Sequence, residues 1–120
     1  MSASPDPLVG TGWIVAELDG VAIAPEDDPP TIAFLPEARV AGHAGVNRFA
    51  GDYALADGIL TLGPLAMTRM AGPAERMDRE SRLVALLGAP LTYRLAADHL
   101  VLADASTTIH LTRVAPEEPA

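Results

Sequence analysis

The 120-residue chain has no cysteine, so it can carry no disulfide framework, no zinc–thiolate site and no thiolate nucleophile; the absence suits a compartment where thiols stay reduced. Lysine is absent as well: all eight basic residues are arginine, against sixteen Asp and Glu, for a net charge of −8. Phosphate backbones and anionic membrane surfaces repel a domain with that balance. Aromatics are few, namely Trp13, Phe34, Phe49, Tyr53 and Tyr93, too scattered for a platform on which bases stack. No nucleic-acid partner is therefore expected. Long hydrophobic runs are also missing. Although 49% of residues are hydrophobic, runs such as Leu83 to Leu87 fall far short of the roughly 20 residues that span a bilayer. The first seven residues show no basic segment, no apolar segment and no cysteine for lipidation, so a cytoplasmic location is expected.

What the chain does contain is a series of short apolar-alternating or β-branched runs between turn signals, spaced as in an all-β barrel or sandwich. Trp13 to Leu18 reads as a first strand closed by Asp19-Gly20, a pair suited to positive φ, with Val21 to Ile23 as a return. The acidic, proline-rich stretch from Pro25 to Pro30 is a loop. Strands are expected at Thr31–Leu35, Arg39–His43, Phe49–Leu55, Ile59–Leu62, Leu65–Thr68, Leu91–Leu95, His99–Ala103 and Thr107–Val114. Residues 1–7 and 115–120 read as tails around a single domain of residues 8–114, a size that forms its own core.

One helix is expected from Pro73 to Leu87, with Pro at the first helical position, Gly88 as a left-handed cap and Pro90 as a stop. Glu75 with Arg79 and Asp78 with Arg82 are acid-before-base pairs at i,i+4. Met77, Leu83, Val84, Leu86 and Leu87 form an apolar side. The reading is a lid packed on the sheet, with a partner-docking surface as the alternative.

The most distinctive stretch is Gly42-His43-Ala44-Gly45-Val46-Asn47-Arg48-Phe49-Ala50-Gly51-Asp52-Tyr53, which reads as strand, tight turn, strand. Gly42 and Gly45 permit positive φ or close backbone approach, and Asn47 can bond its own backbone in the turn. Phe49 and Tyr53 fall on one strand face, with Gly51 between them leaving room for a facing group. A second segment, Thr68-Arg69-Met70-Ala71-Gly72-Pro73, precedes the helix.

Together these two segments resemble the META domain family, whose pattern is Gly-x-x-Gly-Cys-Asn-x-aromatic-x-Gly-x-Tyr followed by Thr-x-Met-Ala-Cys before a helix. Trp13 near the start, Glu80 in the helix, Leu91-Thr92-Tyr93 and Leu100-Val101-Leu102 extend the likeness over residues 8 to 114. The resemblance implies a mainly β, antiparallel barrel-like domain with one helix packed against it, and an association with stress or heat-shock responses without a shared enzymatic reaction. It marks Gly42, Gly45, Asn47, Arg48, Phe49, Gly51, Tyr53, Thr68 and Met70 as family-motif positions, structural or binding. The family's two cysteines, which pair in exported members, stand here as Val46 and Gly72. The implied alignment makes those two positions neighbours, within the roughly 4.4 to 6.8 Å between Cα atoms that a disulfide spans.

Other constellations carry less. Gly42-His43-Ala44-Gly45 matches the loop of KH domains without their flanking helices or basic surroundings. Gly10-Thr11-Gly12 precedes a strand where a dinucleotide loop needs a helix. His43, His99 and His110 lie in separate strands, and Glu26-Asp27-Asp28 lacks the spacing of a calcium loop, so no metal or cofactor is expected. No nucleophile elbow surrounds Ser81 or Ser106. Arg48 is expected to pair with Asp52. Three functional readings follow: a non-catalytic monomer binding a protein or small molecule; a lipocalin-like carrier with an apolar ligand in the barrel; and an enzyme that gathers Arg48, Arg69, Asp52 and a histidine.

Overall fold

The structure, a computed structural model, describes residues 6–114. Among the described residues ten strands and one α-helix follow in order, with a single 3-10 turn at Pro25–Asp27 in the acidic loop: β1 (Thr11–Leu18), β2 (Val21–Ala22), β3 (Thr31–Leu35), β4 (Arg39–His43), β5 (Arg48–Ala56), β6 (Ile59–Leu62), β7 (Ala66–Met67), α1 (Ala74–Leu87), β8 (Leu91–Ala96), β9 (His99–Ala103) and β10 (Thr108–Val114). Every pairing is antiparallel. The sheet runs β10-β9-β8-β6-β5-β4-β3-β1, and β1 pairs back onto β10, so eight strands close into a barrel. β2 and β7 extend it as short additions beside β1 and β5.

Local chemistry explains most of these elements. Asp19 and Gly20 both take positive φ, 54° and 81°, as do Asp57 and Gly58 at 56° and 78°. A two-residue turn of that kind matches the twist of its flanking strands. The register between β1 and β10 slips between Val15 and Glu17, and such a bulge bends a strand so that the sheet can close.

Alternation sends one face of each strand inward. Trp13, Val15, Ile32, Phe34, Val40, Phe49, Leu60, Leu100, Leu102, Ile109 and Leu111 are all at most 2% exposed. The interior is therefore filled by side chains. Trp13 donates from Nε1 to Thr11 Oγ1 at 2.8 Å and lies under the Arg113 guanidinium, 5.0 Å from its ring centroid. Phe34 and Tyr53 meet edge to face at 5.0 Å.

α1 lies at the barrel end that carries the β1–β2 and β4–β5 turns, burying Glu80, Leu83 and Leu87. Leu8 is wholly buried in the core, and two residues on the N–H of Gly10 donates to the Phe34 carbonyl at 2.7 Å. Of the two expected tails, residues 1–5 and 115–120 lie outside the described residues, whereas Asp6 is tied down. Its carboxylate accepts from the Leu8 N–H at 2.9 Å and from the Tyr53 hydroxyl.

Three local expectations are corrected. Gly88 ends the helix in a right-handed conformation, φ −80°, with its N–H on the Val84 carbonyl; the absent N–H of Pro90 stops the helix without a left-handed cap. No i,i+4 ion pair forms within α1 among the described residues. Arg76 pairs instead with Asp28 at 3.2 Å, and Arg79 donates to the Asp27 carbonyl, so the helix holds the acidic loop. Arg48 does not reach Asp52: four residues along one strand separate them by about 13 Å, and Asp52 lies 3.9 Å from Arg39, its partner across the β4–β5 ladder.

Depressions on the described surface include two beside these elements. One of about 230 Å³ lies between the β1–β2 hairpin and α1, and one of about 440 Å³ lies across β4, β5 and β7.

Candidate functional site

The two motif segments converge on the side chain of Asn47, 4% exposed in the turn between β4 and β5. Its Nδ2 donates to Glu80 Oε2 at 2.8 Å and to the Met70 carbonyl at 3.2 Å. Its Oδ1 accepts from the Met70 N–H at 2.6 Å and from the Thr68 hydroxyl at 2.9 Å. An amide side chain offers two donors and two lone pairs, so Asn47 is fully used. Thr68 Oγ1 also accepts from the Arg48 N–H at 3.0 Å, and the Thr68 N–H donates to the Arg48 carbonyl at 3.1 Å. One residue thereby ties the turn, the segment leading into the helix, and the helix itself.

Glu80 completes this hub. It is a glutamate 7% exposed, and its Oε1 accepts the backbone N–H groups of Val46 at 2.9 Å and Asn47 at 2.7 Å. Burial pushes its carboxyl upward. The hydrogen bonds from the Asn47 side chain and from the two backbone N–H groups, with the charge of His43, outweigh that push and hold it below the ordinary 4.5. A carboxylate receiving several N–H donors favours its ionised form.

Glycines let these pieces approach. Gly45 has φ +139°, and a methyl group there would lie 3.1 Å from the Arg76 carbonyl and 3.4 Å from Glu80 Cβ; turn and helix are in backbone contact. At Gly42 a methyl group would overlap the Thr31 carbonyl and come within 2.7 Å of the Phe49 ring. Gly51 faces the arch of Pro64 and Leu65, where added carbon would sit 2.9 Å from both. Val46 and Gly72 are side by side, a Cβ at Gly72 standing 3.5 Å from that of Val46.

The structure thus gathers Thr68, Met70 and, through Thr68, the backbone of Arg48 around Asn47, and Asn47 and Gly45 against Glu80. Phe49 and Tyr53 go to the core instead. Burial, and then the hydrogen bond to Asp6 and its charge, raise the Tyr53 phenol well above its ordinary 10.0, so it stays a donor. Arg48 is exposed, Asp52 is engaged with Arg39, and His99 and His110 are exposed on β9 and β10. No cluster of Arg48, Asp52 and histidine forms. Every buried side-chain N and O among the described residues has a partner.

Glu80 is the hub member that motif spacing undervalued, and the signal was present. Glu80, Leu83 and Leu87 follow at three and seven residues, so the acid sits on the apolar stripe of α1, where a carboxylate needs buried donors.

A family model described as META domain matches residues 6–116. "Heat shock protein HslJ" of Escherichia coli (strain K12) is 27% identical over 110 residues, which span 91% of this chain and 78% of that protein. An NMR structure of a protein from Burkholderia xenovorans matches with TM-score 0.74 and 28% identity, covering 97% of this chain and 95% of that one. A second NMR structure matches with TM-score 0.76 and 27% identity, over 92% and 95%. A crystal structure of a DUF4847 family protein from Bacteroides vulgatus shares the fold, TM-score 0.66 at 13% identity over 92% and 97%.

Proposed function

The chain belongs to the META domain family, and from that premise we propose that it is a non-catalytic, stress-associated domain that binds a protein or a small molecule on its outer surface. One observation carries the reading: the polar groups of the family motif saturate one another, with Asn47 making four hydrogen bonds and Glu80 accepting three. Such a hub keeps few free polar positions for chemistry or for gripping a ligand: the Asn47 amide has none and the Glu80 carboxylate about one. It is a folding device that fixes the outer surface around it. The barrel interior is filled by Trp13, Phe34, Phe49 and leucines, which weighs against a carried ligand. The stress association rests on the similarity to a heat shock protein.

The test is chemical-shift mapping of the labelled full chain against size fractions of an extract from heated source cells, with the abundance of the protein followed through the temperature rise. Shifts of outward-facing amides, with the methyls of Val15, Leu102 and Ile109 unmoved, are expected, together with a rise in abundance. Shifts of those interior methyls would favour the carrier, and turnover of a component in the fractions would favour an enzyme.

A further inference from the structure

The cleft between the β1–β2 hairpin and α1 is put to no use by the hub. Its wall is apolar: Leu18 and Ile23 are buried, and Val21 beside them is 61% exposed. Opposite, α1 presents Glu75, Asp78, Arg79 and Arg82 on one face. No ion pair within 4.0 Å joins these four charges among the described residues. Arg79 turns to the Asp27 carbonyl, and Arg82 makes no ion pair among the described residues. An acidic end at Glu75 and Asp78 and a cationic end at Arg82 therefore follow one another along the helix side of the cleft, facing the apolar wall.

At 1.5 Å of rise per residue, the acidic pair is centred about 8 Å from Arg82 along the helix. An extended dipeptide reaches about 7 Å end to end, whereas one residue reaches about half of that. The volume, about 230 Å³, lies below the roughly 300 Å³ at which sites for drug-sized ligands begin. We infer that this cleft binds a short zwitterionic peptide, an apolar dipeptide with both termini free. Its ammonium lies toward Glu75 and Asp78, its side chains lie on the Leu18–Ile23 wall, and its carboxylate meets Arg82. This assignment rests on the outer-surface binding reading and gives it a place and a ligand class.

Titrating Ala-Leu into the labelled full chain tests it. Saturable shifts are expected at Val21, Ala22, Asp78 and Arg82, with a Kd of about 1 mM for so small a ligand. Blocking either terminus, or Arg82→Gln, should weaken binding by up to about fivefold, the range of an exposed ion pair. Arg82 is exposed, so the melting temperature of the variant should equal that of the parent. Absence of saturable shifts, shifts confined elsewhere, or equal binding of blocked peptides or free leucine would overturn the inference. If Ala-Leu left the cleft silent while an extract fraction shifted other outward amides, the inference alone would fall. Silence toward both would sink both readings.

Discussion

Glu80→Gln tests the hub at its most demanding point. The carboxylate accepts two backbone N–H groups on one oxygen and the Asn47 amide on the other. A glutamine keeps a single oxygen. If that oxygen stays on the backbone pair, its NH2 faces the Asn47 NH2, donor against donor. Turning Asn47 over does not help, because its Oδ1 would leave the Met70 N–H and its NH2 would then face that same N–H. One charge-assisted hydrogen bond is lost and at least one buried donor is stranded, together about 2 to 4 kcal/mol. For a chain of this length that lowers the melting temperature by roughly 8 to 16 °C. Urea unfolding followed through Trp13, the sole tryptophan and fully buried, measures the loss at pH 7. A loss under about 1 kcal/mol would mean that the hub relaxes around a neutral partner, and the argument from saturation would fail.

Acid should act through the same group. The folded Glu80 carboxyl titrates below 4.5, so its stabilisation is complete above that pH and fades as pH falls through the lower folded value; the gap between parent and Glu80→Gln in urea midpoint should narrow from pH 7 to pH 3.5. Gly42→Ala forces a methyl group into the Thr31 carbonyl and the Phe49 ring, and a loss of about 3 kcal/mol is expected in thermal melts. Paired Val46→Cys and Gly72→Cys should oxidise spontaneously, since their Cβ positions stand 3.5 Å apart, within disulfide range. Closing a loop of about 27 residues is then worth roughly 3.5 kcal/mol, read as a melting temperature that drops on reduction.

The strands were legible because turn chemistry and alternation agree: Asp-Gly pairs sit where positive φ is required, and Trp13, Val15, Phe49 and Tyr53 fall at period two. The two motif segments were legible as a family pattern, but their meeting point was not. Glu80 lies more than 30 residues from Asn47, and helical spacing alone cannot say what an acid on an apolar stripe faces. The ion pairs were misread for a related reason. Weak i,i+4 contacts on an exposed helix lose to a loop that brings Asp28 and the Asp27 carbonyl within reach of Arg76 and Arg79. Asp6 was hidden because nothing local indicates that its second oxygen finds Tyr53, 47 positions away.

The pairing of β1 with β10 has a consequence during synthesis. Gly12 lies opposite Val114 and Leu18 opposite Ile109, so β1 leaves the ribosome well before β10 and must wait for it before its edge is covered. Until then the nascent chain holds an open sheet with an unsatisfied edge next to its only tryptophan, the condition in which strands recruit the wrong neighbour. Contacts so distant in sequence also slow folding. Conditions that lengthen that interval fall first on this seam.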